Sequence, residues 1–511
     1  MAATWSADDV REPEPTATWD VIVVGAGPGG LACAIAAADA GARVLLLEKA
    51  GDVGGALHFS GGHLSAGGFS AQHERGIEDD PERHLADIRR ISRGTAREDL
   101  TRVSLAEQPA VLEWLLAAGF AIDPATPRIV HGHEPYLTPR TVHASAVPGG
   151  PAILAVLRPL LAAHQAAGRI DLRCGVRITD LLTAPPMGGA RAETGPATGA
   201  QHGDGRVSGV VAEDGNRWRA EAVVLATGGF GFAPELFAEL EGAPLTTSAA
   251  PTSTGDGLLM GRRAGAAVQG TGMYIPTFGG LPPEGDDPRV DWTHRPQLVA
   301  VERPPWEIYV DPRGRRWIAE DEPSIDRKER ALTTIERMTF WMVFDERALR
   351  ESSPMVHGWS AAELAERCGR RRGVHRAGDL GELAELAGID REGLLETVAG
   401  YNGFVAAGRD PDFGRAHLPA PIAEPPYYAI ENHPVTLITF AGLDVDTRSR
   451  VRRADGRIIP GLYAVGEVIG SAAVNGNAFC SGMCLTPAMA FGRLVGRDLA
   501  GRGGSPRQKP R

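Results

Sequence analysis

The sequence predicts an α/β protein: a Rossmann-like, dinucleotide-binding domain built from two separated parts of the chain, with an α+β domain inserted between them. Three observations predict it. Between residues 20 and 48 an apolar run, a glycine turn, an alanine-rich stretch and a second apolar run follow one another, the order strand, turn, helix, strand of a parallel βαβ unit. Across residues 274–437 the texture changes, with Trp292, Trp306, Trp317, Trp341 and Trp359 and more charge. Strand signals of the first kind then resume at residues 457–465.

Composition agrees with that plan. The chain has 511 residues, 43% hydrophobic and 23% charged, enough to bury a large core and too apolar for a disordered chain. It holds 65 Gly and 38 Pro without a Gly-X-Y period, which excludes collagen and a simple helical bundle and asks for many tight turns. A net charge of -11 argues against nucleic acid or an anionic membrane as a general partner. The five cysteines suit neither a disulfide framework nor a zinc site, so the expected compartment is cytoplasmic. No run of 18 apolar residues occurs in the sequence, and no membrane span is expected.

The elements follow in order. Residues 1–18 carry acids and prolines and read as a disordered leader. The first strand is expected at residues 20–24, the helix at 31–40 and the second strand at 42–47. Helical spacing marks residues 101–119 and 150–168, both stopping at glycine. Strands are expected within 170–182 and at 222–226, with a flexible loop at 183–205. After the inserted segment, in which residues 381–399 read as helical, Thr486 looks like an N-cap with Pro487 at the first helical position. The helix it would begin covers residues 488–499. Residues 501–511 are expected to be a flexible tail.

The turn Gly25-Ala26-Gly27-Pro28-Gly29-Gly30 is a G-x-G-x-x-G fingerprint. Gly25 permits the tight turn, Gly27 lets the backbone approach a pyrophosphate, and Gly30 lets helix pack on strand. Glu48 sits where an acid reaches ribose hydroxyls. On these residues alone the nucleotide is NAD or FAD. No second complete fingerprint is present, so a built-in nicotinamide site is not expected.

Other segments narrow the choice. They are Gly54 to Gly62, Ala226-Thr227-Gly228-Gly229, Thr254-Gly255-Asp256-Gly257, Gly314 to Glu320, and Gly461 to Gly492. In this order they resemble the FAD-dependent fumarate reductase, succinate dehydrogenase flavoprotein and 3-ketosteroid dehydrogenase superfamily, and also tricarballylate dehydrogenase. The resemblance implies a glutathione-reductase-type FAD domain (residues 19–273 and 438–500) and a capping domain (274–437). It implies FAD, expected to be non-covalent because the offset of His58 and His63 from Gly61-Gly62 differs from that of relatives with a covalent link, held by Gly25, Ala26, Gly27, Gly29 and Gly30, by Glu48 and Lys49, and by Gly54, Gly55, Ser60, Gly61 and Gly62. Val176, Ala226, Thr227, Gly228 and Asp256 follow, then Gly466, Glu467, Ser481, Leu485 and Thr486. The implied reaction moves hydride between flavin N5 and a substrate carbon, as a dehydrogenation or an ene reduction, with electrons exchanged with a separate carrier protein, quinone or oxygen.

The chain departs from the family at its substrate end. Ile275 stands where fumarate reductases carry a histidine, Leu437 to Gly442 lacks their second histidine, and their C-terminal arginine is missing around Asn475 to Ser481. A dicarboxylate needs cations, so fumarate and succinate are disfavoured. Ala478 and Phe479 stand where ketosteroid dehydrogenases use a tyrosine. The place of the catalytic arginine of fumarate reductases falls on Ser324, which leaves Arg327, one turn on, as a candidate proton-transfer group, and Tyr274 and His433, at the two cap junctions that should line the cleft, as further candidates. His58 and His63 lie in a segment that carries covalent FAD in some relatives, at a different offset. A flavin oxidase of an amine or alcohol, and an altered flavoprotein that binds a partner, remain alternatives.

Overall fold

The structure is a computed structural model that describes residues 18–145, 149–184, 205–285 and 287–501. The expected leader except Thr18, which opens the first strand, the expected tail except Gly501, and nearly all of the loop at 183–205 lie outside the described residues.

The first sheet has eight strands among these residues. Thr18–Val24 lies at its centre, parallel to Val44–Leu47 on one side and to Arg217–Leu225 on the other. Ile170–Arg173 and Ile458–Ala464 extend the parallel set outward. Val21, Ile22, Val23 and Val24 are all buried, as expected of a parallel strand covered on both faces. The strands expected within 170–182 are Ile170–Arg173 and Ile178–Ala184. The second of these turns back through Arg206–Ala212 as an antiparallel meander onto Arg217–Leu225.

Two helices flank the turn at Gly25. Pro28–Asp39 and Leu485–Ala500 run side by side in the same direction. A Cβ at Gly492 would stand 2.3 Å from the Gly29 carbonyl oxygen, and one at Gly496 would stand 2.4 Å from that of Cys33. Small residues thus bring the backbones close enough for both N-termini to share one side of the sheet.

A second sheet of five strands is formed within residues 277–435. Its first strand, Thr277–Gly280, pairs with its last, Tyr427–Val435, so the segment leaves and rejoins the first domain at neighbouring points. Inside it, Glu320 is fully buried and accepts hydrogen bonds from the Tyr309 amide, Arg316 and Arg415. Its role there is structural. The helical reading of 381–399 becomes two helices, Leu380–Ala387 and Arg391–Ala407, separated by Gly388 at φ 72°.

Candidate active site

Val24 pairs with Leu47 and Leu225, and Leu225 with Ala464, so four parallel strands end at one level. The residues that follow them, Gly25, Glu48, Ala226 and Val465, line a cavity of about 310 Å³. That is the crevice beyond the carboxyl ends of the strands, where open α/β sheets bind ligands.

The three fingerprint glycines have three different steric reasons. A Cβ on Gly30 would stand 1.9 Å from the Gly25 oxygen, and one on Gly25, at φ +100°, would stand 2.4 Å from the Ala226 oxygen. A Cβ on Gly27 would meet nothing within 4 Å. The backbone at Gly27 therefore faces free space at the N-terminus of helix Pro28–Asp39, a fit for a pyrophosphate. Glu48 is locked in place, its carboxylate accepting from the Ala26 and Ala50 amides at 2.7 and 2.8 Å. Lys49 bonds Thr254 at 2.6 Å and Asp256 at 2.8 Å.

The opposite wall is C-terminal. Glu467 accepts from the Thr439 amide and hydroxyl at 2.8 and 2.9 Å and lies over Gly229; burial raises its carboxyl above the ordinary value. The hydroxyls of Thr227 and Ser471 are buried with no protein partner and both residues line the cavity, as groups awaiting a polar ligand do. Leu485, Pro487 and Ala488 bring the first turn of helix Leu485–Ala500 to the same space, adding its positive end.

Most of the expected cofactor residues meet at this cavity: Gly25, Gly27 and Gly29, then Glu48 and Lys49, then Gly55, Ser60, Gly61 and Gly62. Val176, Ala226, Thr227, Gly228 and Asp256 also line it, as do Gly466, Glu467, Ser481 and Leu485. Four do not. Ala26 is fully buried behind the turn, bonded to Glu48. Gly30 packs against Gly25, and Gly54 against His58 and Leu154. Thr486 is not the N-cap, which falls on Cys484; its hydroxyl instead accepts from the Ser65 amide at 3.1 Å.

The three proposed proton-transfer residues do not line the cavity. Arg327 sits on helix Ile325–Leu332 with its side chain 70% exposed, paired with Glu322 at 3.2 Å. Tyr274 is buried behind the wall, its hydroxyl bonded to Thr436 at 2.9 Å and its ring edge-on to Phe237. His433 pairs with Glu431 at 2.7 Å along its own strand. The first is a solvated charge on a helix face, and the other two are spent on neighbours. His58, too, is turned to the Val53 carbonyl at 3.0 Å and is absent from the lining, whereas His63 belongs to it.

The structure adds His133, which no pattern marked. Its ring stacks on Phe479 with centroids 4.7 Å apart, and both line the cavity with Trp292 of the inserted segment. Cys480 and Cys484 also line it. Burial pushes the Cys484 thiol up to about 12 and Cys480 up as well, so both are protonated, packing groups rather than nucleophiles.

Residues 20–485 match the family model described as the FAD binding domain. A probable fumarate reductase of Shewanella frigidimarina is 29% identical over 507 residues, which covers 97% of this chain and 78% of that one. A 4-oxocyclohexanecarboxylate 2-dehydrogenase of Sinomonas cyclohexanicum is 30% identical over 562 residues, covering 96% and 94% respectively. The solved 3-ketosteroid Δ1-dehydrogenase of Sterolibacterium denitrificans has a similar fold, with a TM-score of 0.74 at 22% identity, covering 95% of this chain and 100% of that one.

Proposed function

The chain belongs to the FAD binding domain family, and from that premise we propose how its parts divide the work of an FAD-dependent oxidoreductase of CH–CH bonds. Its relatives are FAD-dependent reductases and dehydrogenases of this kind, and FAD is its cofactor. When bound, FAD supplies a two-electron acceptor or donor.

The residues fit that group. The free space at Gly27, beside the N-terminus of helix Pro28–Asp39, takes the pyrophosphate. Glu48 is positioned for the ribose, Glu467 for the ribityl chain, and the N-terminal turn of Leu485–Ala500 for the ring edge that gains negative charge on reduction. We read the binding as non-covalent, a reading supported at His58, which is held by the Val53 carbonyl.

Residues 274–437 serve as the cap, and Trp292, from that segment, closes part of the cavity. Exclusion of bulk water there strengthens every electrostatic contact. A small organic substrate enters between the two domains, and electrons pass to a separate carrier protein, quinone or oxygen, since the sequence holds a single dinucleotide fingerprint. A cytoplasmic location accompanies this reading, supported by five free thiols.

The observation that carries the assignment is the convergence of the Gly27 turn and the Leu485–Ala500 N-terminus on one cavity. The test is an anaerobic screen in which the holoenzyme is mixed with saturated acids, cyclic ketones and tricarboxylates while flavin absorbance is followed. Bleaching by one class identifies the donor. If no class bleaches the flavin and no enone reoxidises the photoreduced flavin, the assignment fails.

A further inference from the structure

We propose that His133 is the residue that hydrogen-bonds the substrate in this cavity, and that the substrate group it meets is uncharged. The proposal rests on the reading of the cavity as a site for FAD and a small organic substrate.

Geometry places His133 at the substrate end. Its ring lies nearly parallel to Phe479, at 16° and 4.7 Å between centroids. Phe479, Cys480, Ser481 and Gly482 all line the cavity just before the helix that approaches the flavin. His133 Nδ1 is buried and has no hydrogen-bond partner in the protein, although buried polar atoms are nearly always satisfied. The imidazole is also held still. The next residue, Glu134, accepts a 2.6 Å hydrogen bond from Ser324, and Tyr136 donates one of 2.6 Å to the Ser481 carbonyl. Three ties thus fix one short loop against the cap and the flavin-side segment.

The charge of the cavity selects the ligand. Among the described residues that line it, Lys49 is the sole lysine or arginine, and it is bonded to Asp256. Burial holds His133 down to about 4, with the His63 ring adding to the shift, and His63 likewise stands at about 4. Both imidazoles are therefore neutral near pH 7, each with one N–H to donate and one nitrogen to accept. Glu48, Asp256 and Glu467 line the same space. A carboxylate ligand would meet no unpaired cation, whereas a carbonyl or hydroxyl oxygen finds a donor that is already desolvated.

The test is equilibrium binding to the oxidised holoenzyme. Cyclohex-2-enone, as an uncharged carbonyl probe, and fumarate, as a dianion, are titrated while the flavin difference spectrum is recorded. Wild type is compared with His133→Ala and with His133→Gln, which keeps an N–H donor. Bound FAD per chain serves as the check on folding. The expected result is a Kd for the enone about tenfold weaker in His133→Ala, the size of one hydrogen bond, with partial recovery in His133→Gln and no response to fumarate. Histidine ring signals of the isotope-labelled holoenzyme, assigned through His133→Gln, should move for His133 when the enone is added. An unchanged Kd in His133→Ala overturns the proposal, as does fumarate binding more tightly than the enone or a wild type that ignores the enone. Binding needs no turnover, so such a failure leaves the redox assignment standing. A flavin that no CH–CH donor bleaches and that no enone reoxidises after photoreduction would fail that assignment and leave the binding result intact.

Discussion

The Ser324 hydroxyl donates a 2.6 Å hydrogen bond to Glu134 Oε2, tying the inserted domain to the loop that carries His133. Two more contacts cross the same boundary, Arg93 with Asp326 at 2.9 Å and Arg330 with the Asn477 carbonyl at 2.8 Å. Ser324 also caps its helix by accepting from the Arg327 amide at 3.1 Å. One side chain therefore sets both a helix start and a domain contact.

Weakening that tie should loosen cap closure. Glu134→Gln keeps the shape but removes the charge that makes this bond strong, and hydrogen bonds to ions are worth about 1.5–3 kcal/mol where buried. This pair is partly exposed, so a rise in KM of about three- to tenfold is expected, with kcat nearly constant. Steady-state kinetics on the donor found by flavin bleaching checks it, and an unchanged KM removes Glu134 from cap closure.

Arg327→Ala should be close to silent. The side chain is 70% exposed and its partner is Glu322 at 3.2 Å, a surface pair worth about 0–1 kcal/mol. Turnover and KM within about twofold of wild type are expected. A drop of about a hundredfold, near 2.7 kcal/mol, would restore the arginine to the reaction.

What the sequence revealed and what it hid divide along a physical line. The constraints at Gly25, Gly27 and Gly30 are local: each depends on backbone a few residues away or on the adjacent strand end, so spacing alone exposes them. Glu48 and Glu467 are legible for the same reason, one just beyond a strand and the other three residues past one. Thr486 shows the limit. Its local preference favours a cap, yet a hydrogen bond from Ser65, remote in sequence, holds it inside the first turn. Spacing sets Tyr274 and His433 at the expected cap junctions but does not say which way a side chain faces, and both turn to neighbours. His133 lies in a loop with no periodicity, and only the fold brings it onto Phe479.

The separate duties of the fingerprint glycines predict opposite phenotypes. In Gly30→Ala the new methyl would stand 1.9 Å from the Gly25 oxygen, and since this is backbone, nothing nearby can give way. Overpacking of this kind costs about 1–3 kcal/mol or more, so a lower Tm even without cofactor is expected. In Gly27→Ala the methyl meets nothing within 4 Å, and φ is an ordinary -74°. That variant should keep the Tm of the apoprotein and lose about tenfold or more in FAD affinity, because the methyl occupies the pyrophosphate approach. Thermal unfolding with and without FAD separates the two. Equal FAD affinity in Gly27→Ala and wild type would show that the pyrophosphate lies elsewhere.

The last prediction concerns pH. Glu241 accepts from the Phe440 and Ala441 amides at 2.8 Å each, just after the cavity residues Leu437 and Ile438. Burial raises its carboxyl from the ordinary 4.5 to about 7, and Glu467 nearby adds to the rise. Because the folded value lies above the unfolded one, the folded state binds the extra proton between about 4.5 and about 7. The associated stability is present below about 4.5 and is lost as pH rises through about 7. The full effect is of order 3 kcal/mol. Gln in place of Glu241 keeps one oxygen for both amides and cannot ionise. Urea unfolding at pH 5 and pH 8 should therefore show Glu241→Gln more stable than wild type at pH 8 and with a smaller loss between the two pH values. An identical loss in both proteins would mean that Glu241 titrates in the ordinary range, its two amide bonds outweighing burial.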